Sequence, residues 1–192
     1  MSRGLGDVYK RQPCERLLNA LNHFLPEDIA VQDCREVPMD FHARYSCLGK
    51  EYIYKIWNEP VRNPFLRNRA LHYWYPLDLD RMNAAAAHYI GRHDFTSFCT
   101  SDARERGDMC RTVTRANIQR DGGLVTFTVA ADGFLYNMVR IMVGTLLYVA
   151  QDKLQPEQIP EILAARDRTT AGPTAPPCGL YLNRVFYGEG PV

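Results

Sequence analysis

The chain has 192 residues, enough for one large domain or one and a half small ones. Its apolar fraction of 46% excludes a disordered chain, and a formal net charge of +1 does not announce a nucleic-acid binder. Of its 23 basic residues 19 are arginine, whose planar fork suits phosphates and bases; a GC-rich genome would give the same bias. Cys14, Cys34, Cys47, Cys99, Cys110 and Cys178 form no Cys-x-x-Cys pair, and no histidine stands at zinc-finger spacing from them. A structural zinc is not expected, and scattered single thiols suit a reducing compartment. The longest apolar stretch, residues 134–150, is interrupted by Asn137 and Arg140 and is short for a membrane span. The expectation is a soluble cytoplasmic protein without a signal peptide.

Residues 2–12 resemble a frame-translated sequencing-library adapter and are set aside as a non-native leader, which would make the native sequence begin near Pro13, in mid-gene. A genuine basic tail is the alternative. Residues 15–24 carry Leu17, Leu18, Leu21 and Phe24 on one helical face. Residues 29–37 alternate apolar with polar and predict a strand, followed by a connection over 38–43. An aromatic-rich strand is expected over 51–57, a proline-punctuated loop over 58–68, and a further strand over 70–75. Residues 78–90 predict a helix capped by Asp78 or Asp80. Residues 100–109 read as an exposed polar loop. The segments 111–120 and 124–130 flank Asp121-Gly122-Gly123 and predict a hairpin. Helices over 134–150 and 156–165, a rigid connection over 173–177 and a last strand over 180–187 complete the chain. The mixture has no βαβ regularity, so the fold class is α+β with a mainly antiparallel sheet flanked by helices.

One helix carries most of the chemistry. In Phe134-Leu135-Tyr136-Asn137-Met138-Val139-Arg140-Ile141-Met142-Val143-Gly144, Arg140 stands among apolar residues. At helical spacing Tyr136, Arg140 and Gly144 share a stripe, with Asn137 beside it. An arginine in such surroundings needs a carboxylate, a phosphate or buried carbonyls as partner. Gly144 admits another backbone or a ligand at close range.

This helix resembles the F-L-x-x-M-V-R-x-x-V-G helix of the tRNA pseudouridine synthase A family. Six further segments follow that family's order. Leu21-Asn22 with Leu25-Pro26-Glu27-Asp28-Ile29 resembles L-N-x-x-L-P-x-D-I, and Phe41-His42-Ala43-Arg44 resembles F-H-A-R. Lys50-Glu51-Tyr52-Ile53-Tyr54 is similar to K-x-Y-x-Y, and residues 91–98 to G-x-H-D-F-x-S-F. Asp167-Arg168 and the stretch from Ala175 to Leu182 resemble the family's ending. The likeness covers residues 17–187.

The resemblance implies the pseudouridine synthase fold, with residues 13–44 left from an N-terminal half and 45–192 forming the C-terminal domain. It implies isomerisation of uridine to pseudouridine at positions 38–40 of the tRNA anticodon arm, without metal or cofactor. An aspartate in a G-R-T-D-A-G loop would be the nucleophile. That loop is absent here, so this chain is expected to be inactive. Asp94, in Gly91-Arg92-His93-Asp94, imitates the loop but belongs to another motif, and a structural turn is its expected role.

The resemblance further implies that Arg140 supports the catalytic carboxylate, Tyr52 packs on the target uracil, and Leu180 lines its pocket. His42, Arg44, Arg111 and Arg115 are candidates for phosphate contacts, with solvated strand-face charges as the alternative. The expected partners are tRNA and, in the intact protein, a second copy of the chain, with no membrane or DNA. Two other readings compete: an RNA-binding module without catalysis, and an unrelated α+β metabolic enzyme using His42, His93 and Asp94.

Overall fold

A computed structural model describes residues 13–100 and 107–188. The leader-like residues 2–12, and most of the polar segment 100–109, lie outside the described residues. The chain divides into two compact units, residues 1–43 and 44–192.

The described part of the first unit contains one helix, α1 (Cys14–Phe24), which matches the expected apolar spacing; none of its residues is buried. Residues 29–37 do not form the expected strand. A strand needs a ladder of main-chain partners, and here Val31 spends both its groups on one side chain. The Asn22 carboxamide accepts from the Val31 N–H at 2.7 Å and donates to the Val31 carbonyl at 2.9 Å.

The second unit is built on a six-stranded sheet. In chain order its elements are β1 (Gly49–Trp57), β2 (Leu71–His72), α2 (Leu79–Ala87), β3 (Gly91–Asp94), β4 (Cys110–Asp121), β5 (Leu124–Ala131), α3 (Met138–Ala150), α4 (Ile159–Ala165) and β6 (Leu180–Phe186). The sheet order is β2-β1-β5-β4-β3, with β6 also paired to β1. Among the described residues only the β1–β2 pair is parallel. β1 is the central strand: β5 lies along one side, while β6 and β2 divide the other.

The β4–β5 hairpin turns at Gly122-Gly123, with Asp121 opposite Leu124. Gly122 has φ +53°, the conformation such a tight turn needs. β2 is shorter than the expected 70–75 strand because its partner β1 ends at Trp57. Beyond that point the Asn58 amide takes the carbonyls of Tyr73 and Tyr75, at 2.7 and 2.8 Å, in place of a ladder.

Asp78 caps α2 by accepting from the Arg81 N–H. α2 packs on β4 and on α3. α3 is apolar nearly all round and is buried through most of its length, as its composition requires. Tyr54, Ile56, Val125, Phe127 and Val129 of the sheet meet it in a core that Tyr89, Phe95 and Phe98 extend. Burying one such ring is worth about 2–3 kcal/mol.

α3 begins at Met138, not at Phe134 as expected. Asn137 adopts a left-handed backbone, φ 61°, which no residue inside a right-handed helix can have. Tyr136 is therefore off the Arg140–Gly144 stripe and is 63% exposed. Gly144 keeps its expected role: a Cβ there would lie 1.7 Å from the Pro173 carbonyl oxygen. The 173–177 connection runs directly over α3 at this glycine.

A candidate nucleoside-binding cleft

Tyr52 sits on β1 opposite Val129 and Leu182, at the end where the strand is flanked by both β5 and β6. Its ring meets Phe134 edge-on, with centroids 5.0 Å apart. Burial, followed by the influence of Cys47, pushes its phenol pKa up, so the hydroxyl is neutral at physiological pH. Leu180 opens β6 opposite Tyr54. These residues, the turn 134–137 and the first turn of α3 enclose a cleft of about 610 Å³.

Arg140 lines the same cleft. Its Nε donates to the Ala175 carbonyl at 2.7 Å and its Nη1 to the Asn137 Oδ1 at 2.8 Å. The Ala175 N–H in turn donates to the Arg140 carbonyl at 3.1 Å. The guanidinium plane is thus set from two sides. Among the described residues Nη2 has no hydrogen-bond partner and no carboxylate lies within ion-pair distance. A backbone carbonyl, one of the three kinds of partner left open by the sequence, is thus present, yet it occupies only the Nε side.

The first turn of α3, at the positive end of its dipole, also lines the cleft, and the Asn137 side chain caps none of its N–H groups. Guanidinium and helix terminus together favour an anion at one wall. Tyr52, Phe134 and Leu180 supply apolar surface at the others. A planar, weakly polar ring held next to a carboxylate or phosphate is what such a cleft can accommodate.

The segment carrying Ala175 is itself pinned. The Tyr54 hydroxyl donates to the Pro176 carbonyl at 2.6 Å, and the Gly172 N–H donates to the Thr145 Oγ1 at 2.9 Å. Burial pushes the Tyr54 phenol pKa far up.

Of the other candidates, Arg44 and Arg111 line the cleft. The Arg111 Nη1 donates to the carbonyls of Asp108 and Cys110. Arg115 is not at the cleft; it bonds Asn117 Oδ1 and Glu51 Oε2 on the sheet. His42 is exposed and belongs to the other unit. Asp94 takes its expected structural part: its Oδ1 accepts from the Thr96 N–H and hydroxyl, and Oδ2 pairs with Arg166 at 2.9 Å. The His93 ring is 3.0 Å from the Ile90 carbonyl. Among the described residues no hydrogen bond joins Asp94 to His93.

Three parts of the cleft were not anticipated from sequence. The Asn137 bond to Arg140 had one legible signal, an asparagine directly ahead of a helix, since asparagine tolerates the left-handed region. The Ala175 carbonyl and the Asp108–Met109 stretch of the wall had none. Cys110 N–H and side-chain bonds hold the Asp108 carboxyl below the usual carboxylate range, with smaller help from Arg92 and Arg111.

Comparison with known proteins fits this arrangement. Residues 85–188 match the profile of the tRNA pseudouridine synthase family. The chain is 45% identical over 175 residues to a tRNA pseudouridine synthase A of Acetivibrio thermocellus, covering 91% of this chain and 71% of that protein. It is 50% identical over 177 residues to the namesake from Moorella thermoacetica, covering 92% and 72%. With the Geobacillus kaustophilus protein of the same name it shares 47% over 175 residues, covering 91% and 67%. Fold and relatives agree, and the chain belongs to the tRNA pseudouridine synthase family.

Proposed function

We propose that this protein is a tRNA pseudouridine synthase, an isomerase that takes a uridine of the anticodon arm, at positions 38–40, into the Tyr52–Arg140–Leu180 cleft. The observation that carries this reading is Arg140: two of its donors are fixed by Asn137 and Ala175, Nη2 has no partner among the described residues, and the side chain lines the same cleft as Tyr52 and Leu180.

The target base must leave its stack to reach such a cleft. Tyr52 offers a neutral aromatic surface to the flipped uracil, and Leu180 and Phe134 exclude water around it. A carboxylate nucleophile held by Arg140 stays ionised and aimed, because the guanidinium favours its charged form. The glycosidic C–N bond breaks, the base turns, and a C–C bond forms at C5. The C5 proton is then lost and N1, released from the ribose, takes up a proton, which restores the uracil ring system. Reactant and product are isomers, so no oxidant or co-substrate enters. Arg44 and Arg111 at the cleft edge suit the flanking phosphates, which position an RNA without reading its sequence. Arg115, held on the sheet by Asn117 and Glu51, is not at the cleft. The enzyme works in the cytoplasm as a homodimer.

The 192 residues contain no G-R-T-D-A-G loop, and the reading assigns the nucleophile to such a loop. This polypeptide alone is therefore expected to release no tritium from C5-labelled uridine in tRNA. Joining a loop-bearing N-terminal segment from a 50%-identical relative should restore release. Arg140→Gln in that chimera should then lower the rate by at least a hundredfold, about 2.7 kcal/mol. Turnover by the unjoined chain, or a folded chimera indifferent to Arg140→Gln, would contradict the assignment.

A further inference from the structure

At the end of β1 away from the cleft, residues 58–70 leave the sheet and return to β2. This loop is braced from several sides. The Trp57 indole N–H donates to the Val61 carbonyl at 2.8 Å. Asn63 Oδ1 accepts from the Phe65 N–H at 3.0 Å and caps a short 3-10 turn at Pro64–Leu66. The His72 ring is 2.9 Å from the Glu59 carbonyl, and the Tyr181 hydroxyl donates to the Arg69 carbonyl at 2.6 Å.

On this fixed backbone Phe65 is 89% exposed and Val61 76%. Single exposed apolar residues are ordinary. Here, however, Trp57, Val61 and Phe65 share one open groove of about 500 Å³, with Arg62 on its lining. Arg62 on the groove, and Arg67 and Arg69 on the same loop outside its lining, are all exposed, and among the described residues none of them has an ion-pair partner. Glu59 is the groove's sole acid. An aromatic face that needs no ordering on binding, next to uncompensated guanidinium groups, matches an unstacked RNA base and its phosphate. Over residues 58–70 three arginines stand against one acid, and this excess on the loop makes a polyanion the complementary partner.

We propose that this loop is a second RNA-docking site, which takes an unstacked nucleotide of the tRNA with its base on Phe65 and its phosphate on Arg62 and Arg67. The proposal rests on the tRNA reading above. Tyr52 and Trp57 are five residues apart on β1, about 17 Å at the usual rise, so this nucleotide is not the one in the cleft.

The test is tRNA binding by the 192-residue chain across a range of salt concentrations, with thermal unfolding as a folding control. Phe65→Ala should weaken binding about tenfold and leave the salt dependence unchanged, while Phe65→Trp should retain affinity. Arg62→Ala with Arg67→Ala should reduce the slope of log affinity against log salt by about 1–2. Parental affinity and slope in these variants, alongside loss of binding in Tyr52→Ala, would overturn the second site and leave the tRNA reading intact. If Phe65→Ala instead converts a dimer to a monomer in sedimentation at undiminished tRNA affinity, the groove is a contact between protein chains and the proposal falls. Failure of the unsubstituted chain to bind tRNA at all would sink the tRNA reading and this inference with it.

Discussion

Asn137 connects backbone strain with the cleft. It holds φ 61°, a region that costs an ordinary L-residue about 1–2 kcal/mol, and from there its side chain reaches Arg140 Nη1. Alanine would combine the backbone strain with loss of the acceptor; glycine would lose only the acceptor. Asn137→Ala is therefore expected to cost about 2 kcal/mol and Asn137→Gly about 1 kcal/mol in urea unfolding. Equal costs would show that the left-handed backbone is not what asparagine relieves. At this scale the sequence was informative about which residues come together: Tyr52, Arg140 and Leu180 line one cleft. It was silent on what holds them, because a carbonyl such as that of Ala175 has no side-chain identity to read. Arg115 looked equivalent to Arg111 in sequence, but only Arg111 lies at the cleft wall.

At the scale of elements, α3 and the 173–177 connection act as a unit. Pro173 crosses α3 where Gly144 has no side chain, and the Arg140–Ala175 bonds close the same contact one turn earlier. Gly144→Ala forces the two backbones apart and is expected to cost about 3 kcal/mol or more in denaturant unfolding. An unaffected midpoint would mean the crossing is loose. At the hairpin, Gly122→Ala places a side chain at φ +53° in open space, so only the backbone cost applies, about 1 kcal/mol. The helices, the central strand and the hairpin were legible because each carries its own period or turn chemistry. The strand expected over 29–37 was not formed: alternation signals a pleated face, but not whether a partner strand is available. β3 was missed for the complementary reason. Four residues paired to one edge of β4 carry too short a pattern to register.

Across the whole molecule, the core contains polar tips that must stay neutral. Tyr54 and Tyr89 are fully buried, and burial pushes both phenol pKa values far above the usual value. A raised folded pKa means the unfolded chain ionises first. Stability is fully present below the unfolded tyrosine value, about 10, and is lost as pH rises above it toward the folded values. Each tyrosine steepens the loss by up to about 1.4 kcal/mol per pH unit. Urea unfolding from neutral pH to above about 11 should show the decline, and Tyr89→Phe should flatten it. No helix among the described residues is long and apolar enough to cross a membrane, as the interrupted 134–150 stretch implied.

The sequence by itself determined the α+β class, most elements, the family, and the identity of the cleft's aromatic, apolar and cationic walls. These follow from side-chain type and local period, which are properties of short stretches. Only the tertiary structure decided that α3 starts after Asn137, that Arg140 is oriented by a carbonyl 35 residues away, and that an exposed phenylalanine stands on a braced loop in one groove with Arg62. Each of these depends on main-chain groups and segments brought together from distant parts of the chain, and such proximity leaves no trace in residue order.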